Sequence, residues 1–211
     1  MTIAFIGYGN VGAPLADKLQ RAGHTVTLAA RDAAADSVRA LLQRNPALGV
    51  EAPEAAVAAA DVVFLATPFG ANASVIPPLA AALAGKVLVD CTNPVGPGLS
   101  HGLKSEQSGA ERLQALAPAA RVVKAFSIYG YENFEDNSFP AATVKPAMFF
   151  CGADAGAKDV VGRLIADLGW EPIDVGGLEQ ALHLEHMTLL WIRMMRTTGR
   201  SPYLVWAALR K

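Results

Sequence analysis

Apolar residues fall in short runs separated by stretches of helical spacing. Residues 2–6 (TIAFI) form one such run, and 25–29, 62–66, 87–90, 122–125, 148–151 and 172–175 repeat the type. Four or five consecutive residues with almost nothing polar suit a strand buried on both faces of a parallel sheet; a strand with one wet face would alternate. Between the runs, residues 11–21 place Val11, Leu15 and Leu19 at i, i+4 and i+8 on one helical face. Residues 34–43, entered from Asp32, and residues 106–116 and 157–168 also read as helices. Strand, crossover and strand again is the α/β pattern, with right-handed crossovers placing helices on both faces. The last part differs. After Gly176-Gly177, residues 178–196 form a long helical pattern without Pro or Gly, with Leu178, Leu182, Leu189, Ile192 and Met195 broadly on one stripe. Gly199-Arg200-Ser201-Pro202 ends it, and residues 203–209 read as a short final helix. The pattern predicts a doubly wound, mostly parallel α/β sheet over residues 1–176, with a small C-terminal helical hairpin appended over 177–211.

Composition narrows the function classes. The chain has 211 residues, 52% of them apolar, with 18 basic and 19 acidic side chains and a net charge of −1. A nucleic-acid partner would require a basic excess, which is absent. No apolar run reaches the roughly 18 residues of a membrane helix. The first residues, MTIAFIGYGNVG, lack the positive start of a signal peptide, and Cys91 and Cys151 cannot form a disulfide framework. A soluble, cytoplasmic protein is expected.

Gly7-Tyr8-Gly9-Asn10-Val11-Gly12 is a full G-x-G-x-x-G between a predicted strand and a predicted helix. That context makes it a dinucleotide fingerprint of the Rossmann type. Gly7 allows the sharp turn, Gly9 a close backbone approach to a pyrophosphate, and Gly12 tight strand–helix packing. The helix N-terminus then offers free N–H groups to the phosphates. At the end of the second strand Ala29 and Ala30 stand where an NAD site usually has a carboxylate, and Arg31 follows. A guanidinium attracts a 2′-phosphate, so NADP (NADPH) is the expected cofactor. The alternatives are a solvated Arg31 with Asp32 capping the next helix, or Asp32 reaching the ribose.

In an open parallel sheet ligands sit outside the carboxyl ends of the strands. Thr67, Pro68 and Phe69, and then Asn93 and Pro94, are therefore expected to bracket the nicotinamide half. Ser127, after Val122-Val123-Lys124-Ala125-Phe126, is the candidate to face an acceptor. Lys124 reads either as a solvated strand-edge lysine or as a catalytic one. Tyr129 and Tyr131 read as pocket walls or as packing.

Here a resemblance becomes specific. The segments IGYGNVGAPLADKLQRAGHTVTLAAR, DVVFLATPF, KVLVDCTNP, VVKAFSIYG and FFCGADAGAKDVVGRLIADLGWEPIDVGGLEQALHLEHMTLLWIRM span nearly the whole chain. In this order they resemble the family of NADP-dependent oxidoreductases that use the deazaflavin coenzyme F420. VVKAFSIYG is also similar to the reductase domain of the six-transmembrane metalloreductases. The resemblance implies direct hydride transfer between the nicotinamide and a flat second ring, a deazaflavin or flavin, as the small-molecule acceptor. It also implies a homodimer paired through the C-terminal helices. Where many relatives read K-A-F-N, this chain has Ser127, which lacks the amide. That substitution places the acceptor contacts in question.

The chain has no G-x-S-x-G nucleophile elbow and no H-E-x-x-H. His183 and His186, with Glu185 between them, read as helix surface or acceptor-pocket lining, and no metal is expected. Cys91 reads as a small strand-end hydrophobe. Two alternatives stay open: a non-enzymatic NADP(H)-sensing protein, and a reductase of imines or 2-hydroxy acids. The version of the latter with a proton-donating lysine on the long helix is disfavoured, because residues 178–196 contain no Lys.

Overall fold

The apolar runs pair into one sheet in a computed structural model that describes residues 1–140 and 142–211. The chain runs β1 (Thr2–Ile6), α1 (Gly12–Arg21), β2 (Thr25–Ala29), α2 (Asp36–Arg44), β3 (Gly49–Glu51), α3 (Pro53–Ala59), β4 (Val62–Leu65), α4 (Asn72–Leu79) and β5 (Val87–Asp90). It continues through α5 (Gly109–Leu116), β6 (Arg121–Lys124), α6 (Glu132–Glu135), β7 (Ala147–Gly152), α7 (Ala155–Asp167), β8 (Glu171–Asp174) and α8 (Ala181–Thr198). The strand order is β3-β2-β1-β4-β5-β6-β7-β8. Strands β1 to β6 pair in parallel, β7 runs antiparallel to β6, and β8 pairs in parallel with β7. This is the Rossmann-type architecture read from the sequence. Order reverses between β1 and β4, so a crevice opens at the carboxyl ends of β1, β4 and β5. β4 and β5 are buried along their whole length, β1 and β6 at all but their first residue, and Phe5, Phe64, Leu88 and Val123 are fully covered. Phe5 stacks on Phe64, and Phe64 lies against Phe126.

Three boundaries move for local reasons. The Asp32 carboxylate accepts the Ala34 amide at 2.8 Å, closing a turn, so α2 starts at Asp36 rather than at 34. Ser108 and Glu111 form a reciprocal capping box, so α5 starts at Gly109 instead of 106. The final helix expected over 203–209 does not form. Gly199 ends α8 in the left-handed conformation (φ 64°), and the chain continues through a turn closed by the Leu204 amide on the Ser201 carbonyl, without a further helix. The Leu204 carbonyl is taken by the Trp191 indole and the Trp206 carbonyl by the Ala147 amide. These are acceptors that a helical turn would have used for itself. The appended element is thus one helix and a tail pinned beside β7, not a hairpin. Helix α8 packs against α5, β7 and the 97–99 turn after β5.

Candidate functional site

The glycine turn is shaped by what a Cβ would meet at each position. Gly7 has φ +90°, and a Cβ there would lie 2.7 Å from the Ala66 carbonyl carbon. At Gly12 it would lie 2.1 Å from the Gly7 oxygen. At Gly9 it would meet nothing within 4 Å. Two glycines are therefore required by the protein's own packing, while at Gly9 nothing in the protein itself excludes a side chain. Helix α1 begins with the Ala13 amide donating to the Gly9 carbonyl at 2.9 Å. Among the described residues the amides of Asn10, Val11 and Gly12 have no protein acceptor. Open space over Gly9 and unpaired donors at a helix start fit a pyrophosphate.

Arg31 lies exposed just beyond β2 and enters none of the ion pairs among the described residues. Asp32 is occupied by the Ala34 amide, so its carboxylate holds the turn and does not cap α2.

The loops after β4 and β5 are stitched together. The Thr67 hydroxyl donates to Asn72 Oδ1 at 3.0 Å, and Asn72 Nδ2 donates to Thr92 Oγ1 at 3.1 Å. Pro68 is exposed, Phe69 is half-buried in a short turn, and Pro94 is buried with its carbonyl accepting from Gly102. Asn93 is half-buried, its amide donating to the Ser127 carbonyl at 2.9 Å. The Thr188 hydroxyl of α8 lies 2.7 Å from that carbonyl and 3.2 Å from Asn93 Oδ1. Thr67 is thus linked through Asn72 and Thr92 to the loop that carries Asn93, and Asn93 is bonded to α8.

Ser127 itself sits one layer lower than the sequence suggests. It is 2% exposed, and its Oγ is buried without a partner. Its half-buried neighbour in space is Asn93, which bonds the Ser127 carbonyl. Phe126 precedes it at φ 53°, in the left-handed region, which locally re-aims the chain after β6. Tyr129 is packing: it stacks on Trp170 and donates to the Ala147 carbonyl, and burial pushes its phenol pKa up. Tyr131 is exposed.

Lys124 corrects the reading of a solvated lysine. It is fully buried, and its Nζ donates to Asp90 Oδ2 at 3.1 Å and to the Thr92 carbonyl and forms an ion pair with Glu185 Oε1 at 3.1 Å. Burial alone would lower its pKa, but Asp90 and Glu185 more than offset it and hold it above the usual lysine value. Asp90 Oδ1 accepts from the Thr92 amide and hydroxyl. Glu185 also accepts from His101 Nε2 at 2.8 Å and from the Gly109 amide at the start of α5. Asp90, His101, Asn72 and Thr92 were not singled out from the sequence, and Glu185 was noted only between His183 and His186, as helix surface or pocket lining. Glu185 had a signal: it falls on the stripe of Leu182 and Leu189, where a charge requires a partner.

His186 stacks on His101 with ring centroids 5.4 Å apart, and His183 is exposed. Both cysteines are buried and free, and burial pushes both thiol pKa values up. No helix among the described residues is long and apolar enough to cross a membrane.

Known proteins match this chain in sequence and in fold. Residues 2–94, from β1 to the loop after β5, match the family described as NADP oxidoreductase, coenzyme F420-dependent. The F420-dependent NADP reductase of Methanothermobacter marburgensis is 30% identical over 210 residues, 92% of each chain. The metalloreductase STEAP3 of Rattus norvegicus is 31% identical over 188 residues. That match covers 89% of this chain, which spans only 36% of the metalloreductase's length. A crystal structure from Arthrobacter sp. FB24, described as a candidate F420-dependent NADP-reductase, superposes with a TM-score of 0.89 at 30% identity and full coverage of both chains. With the glycine turn in place and a relative 30% identical matched over 92% of both chains, this chain belongs to the family of coenzyme F420-dependent NADP oxidoreductases.

Proposed function

We propose that this NADP-dependent oxidoreductase passes hydride between NADP(H) and a deazaflavin-type acceptor. The observation that supports it most directly is the glycine turn, with open space over Gly9, amides at the start of α1 that have no acceptor among the described residues, and an exposed Arg31 one strand away. Gly7, Gly9, Asn10, Val11 and Gly12 would hold the pyrophosphate and Arg31 the 2′-phosphate. Thr67, Pro68, Phe69, Asn93 and Pro94 would bracket the nicotinamide. When bound, the reduced cofactor supplies the hydride. The chain's own part is alignment: Asn93 is fixed between the Ser127 carbonyl and Thr188, and α8 covers the strand ends and keeps water out. Direct transfer requires donor and acceptor carbons about 3–3.5 Å apart, which rewards rigid loops.

The assay is NADPH oxidation with oxidised deazaflavin, flavin and quinone acceptors. Turnover with the deazaflavin is expected. Turnover with flavin alone would change the acceptor, and tight NADPH binding without turnover on any of them would replace the enzyme by a sensor. We also propose a homodimer through α8, whose Leu190 is 51% exposed; light scattering should give twice the 22.0 kDa chain mass. The buried free cysteines fit a cytoplasmic setting.

A further inference from the structure

Hydrogen-bond directions fix the charges in the buried cluster beneath the crevice. Lys124 Nζ donates to Asp90 Oδ2 and the Thr92 carbonyl and pairs with Glu185 Oε1 at 3.1 Å; it faces acceptors only, so a neutral amine would have no donor for its lone pair and the group is an ammonium. His101 Nδ1 accepts from the Leu103 and Ser105 amides at 3.3 and 3.1 Å, so this nitrogen bears no proton. The ring is therefore neutral, with Nε2–H donating to Glu185. Every contact of Glu185 and Asp90 comes from a donor, as an ionised carboxylate requires. Two carboxylates against one ammonium leave one net negative charge, enclosed where Asp90 and Lys124 are 0% and Glu185 1% exposed.

That charge is connected to the crevice by hydroxyls and an amide all oriented one way. Thr92 Oγ1 donates to Asp90 at 2.7 Å, so it can only accept from Asn72 Nδ2. With its amide group aimed at Thr92, Asn72 presents Oδ1 to the Thr67 hydroxyl, which donates to it. The Thr67 proton is thereby committed inward, and its half-buried oxygen keeps free lone pairs on the outer side.

We infer that Glu185, Lys124 and Asp90 form a positioning device for cofactor charge: the cluster turns Thr67 into an outward acceptor and favours the oxidised cofactor over the reduced one. The inference rests on the proposed placement of the nicotinamide beside Thr67 and Asn93. Loss of hydride, two electrons and one proton together, converts the neutral dihydronicotinamide ring into a pyridinium cation, while the acceptor takes the hydride. An enclosed anion behind that ring stabilises the cation and leaves the neutral form almost untouched. Enclosure matters, because solvent would screen the same charge at the surface.

The test is the ratio of dissociation constants, Kd(NADP⁺)/Kd(NADPH), measured by calorimetry without any acceptor. Glu185→Gln removes the net charge at constant size and should raise the ratio by about threefold or more. For a two-electron couple threefold is about 14 mV in the potential of the bound cofactor. Thr67→Val removes the outward acceptor without touching the ion cluster and should raise the ratio in the same direction; Thr67→Ser should restore it. A merely structural role would weaken both forms equally and leave the ratio alone. A ratio within about 1.5-fold of wild type in folded Glu185→Gln and in Thr67→Val overturns the inference. If Glu185→Gln does not fold, Thr67→Val decides alone. Failure of the wild type to bind NADPH would instead overturn the proposed cofactor site, so the two failures are distinguishable.

Discussion

Gly9 and Gly12 are both glycines of one turn, yet the structure gives them opposite reasons to be glycine, and alanine at each should separate fold from function. At Gly12 a methyl group would sit 2.1 Å from the Gly7 oxygen and 2.9 Å from its carbonyl carbon. Neither neighbour is a flexible side chain, so α1 must shift off the sheet. Overpacking of this kind costs about 1–3 kcal/mol, and backbone opposition puts Gly12→Ala at the upper end. For a chain of this size each kcal/mol lowers the melting temperature by about 2–4 °C, so a fall of roughly 6 °C or more is expected. At Gly9 the methyl group meets nothing within 4 Å, and φ is not positive. Gly9→Ala should therefore melt at or slightly above the wild-type temperature, since a glycine lost at an unstrained position adds about 0.4–1 kcal/mol. Its defect should lie in binding. The methyl group would enter the space over the unpaired amides, and each charge-assisted bond lost is worth about 1.5–3 kcal/mol, tenfold or more in Kd. Gly9→Val should abolish binding. Thermal melts and calorimetric titration with NADPH read the two effects apart. Wild-type affinity in Gly9→Ala, or a wild-type melt in Gly12→Ala, would refute the division of roles.

Arg31→Ala should weaken NADPH about tenfold or more and leave NADH nearly unchanged by titration; tighter NADH than NADPH in the wild type would hand the ribose to Asp32. Lys124→Met strands Asp90 and Glu185 without their cation, so urea unfolding should show a loss of about 3–5 kcal/mol. The folded Lys124 pKa is raised above the ordinary 10.5, so its contribution is complete below that pH and declines as pH climbs through the folded value. Melts from pH 7 to 10 should reveal no loss from this group. Burial pushes the Cys151 thiol up to about 12 and Cys91 upward as well, so an aromatic disulfide reagent at pH 8 should label neither until guanidinium unfolds the chain, when both react.

The sheet was legible because its strands are buried on both faces and therefore read as unbroken apolar runs. What escaped was short or locally contradicted. Strand β3 is three residues with only Val50 apolar, and α4 contains Pro77 and Pro78, which read as a breaker. The tail over 203–209 has the composition of a helix but spends its carbonyls on Trp191 and Ala147, partners that exist only after folding. The glycine turn was legible for the opposite reason: its geometry is dictated within six residues. Ser127 was placed at the correct strand end but too near the surface, because the left-handed turn at Phe126 cannot be read from a phenylalanine.

The ion cluster was hidden because its members are far apart in sequence, although each violates a local rule. Asp90 closes an otherwise apolar strand, Lys124 interrupts VVKAF, and Glu185 sits on an apolar helical stripe. One such violation has a bland explanation, since a single long side chain at an element's end can reach water. Three, with opposite signs, in elements whose ends meet at one sheet edge do not, because an unpaired charge in that interior costs several kcal/mol. The stripe carries the sharper clue. The buried face of α8 runs through Ala181, Leu184, Glu185, Thr188, Leu189 and Trp191, about one residue round from the leucine stripe read from sequence. Turned this way, the helix presents Glu185 to Lys124 and Thr188 to Asn93. Its orientation is therefore set by polar partners at the strand ends as much as by apolar packing, and the residues it reaches are those that position the loops after β4 and β5.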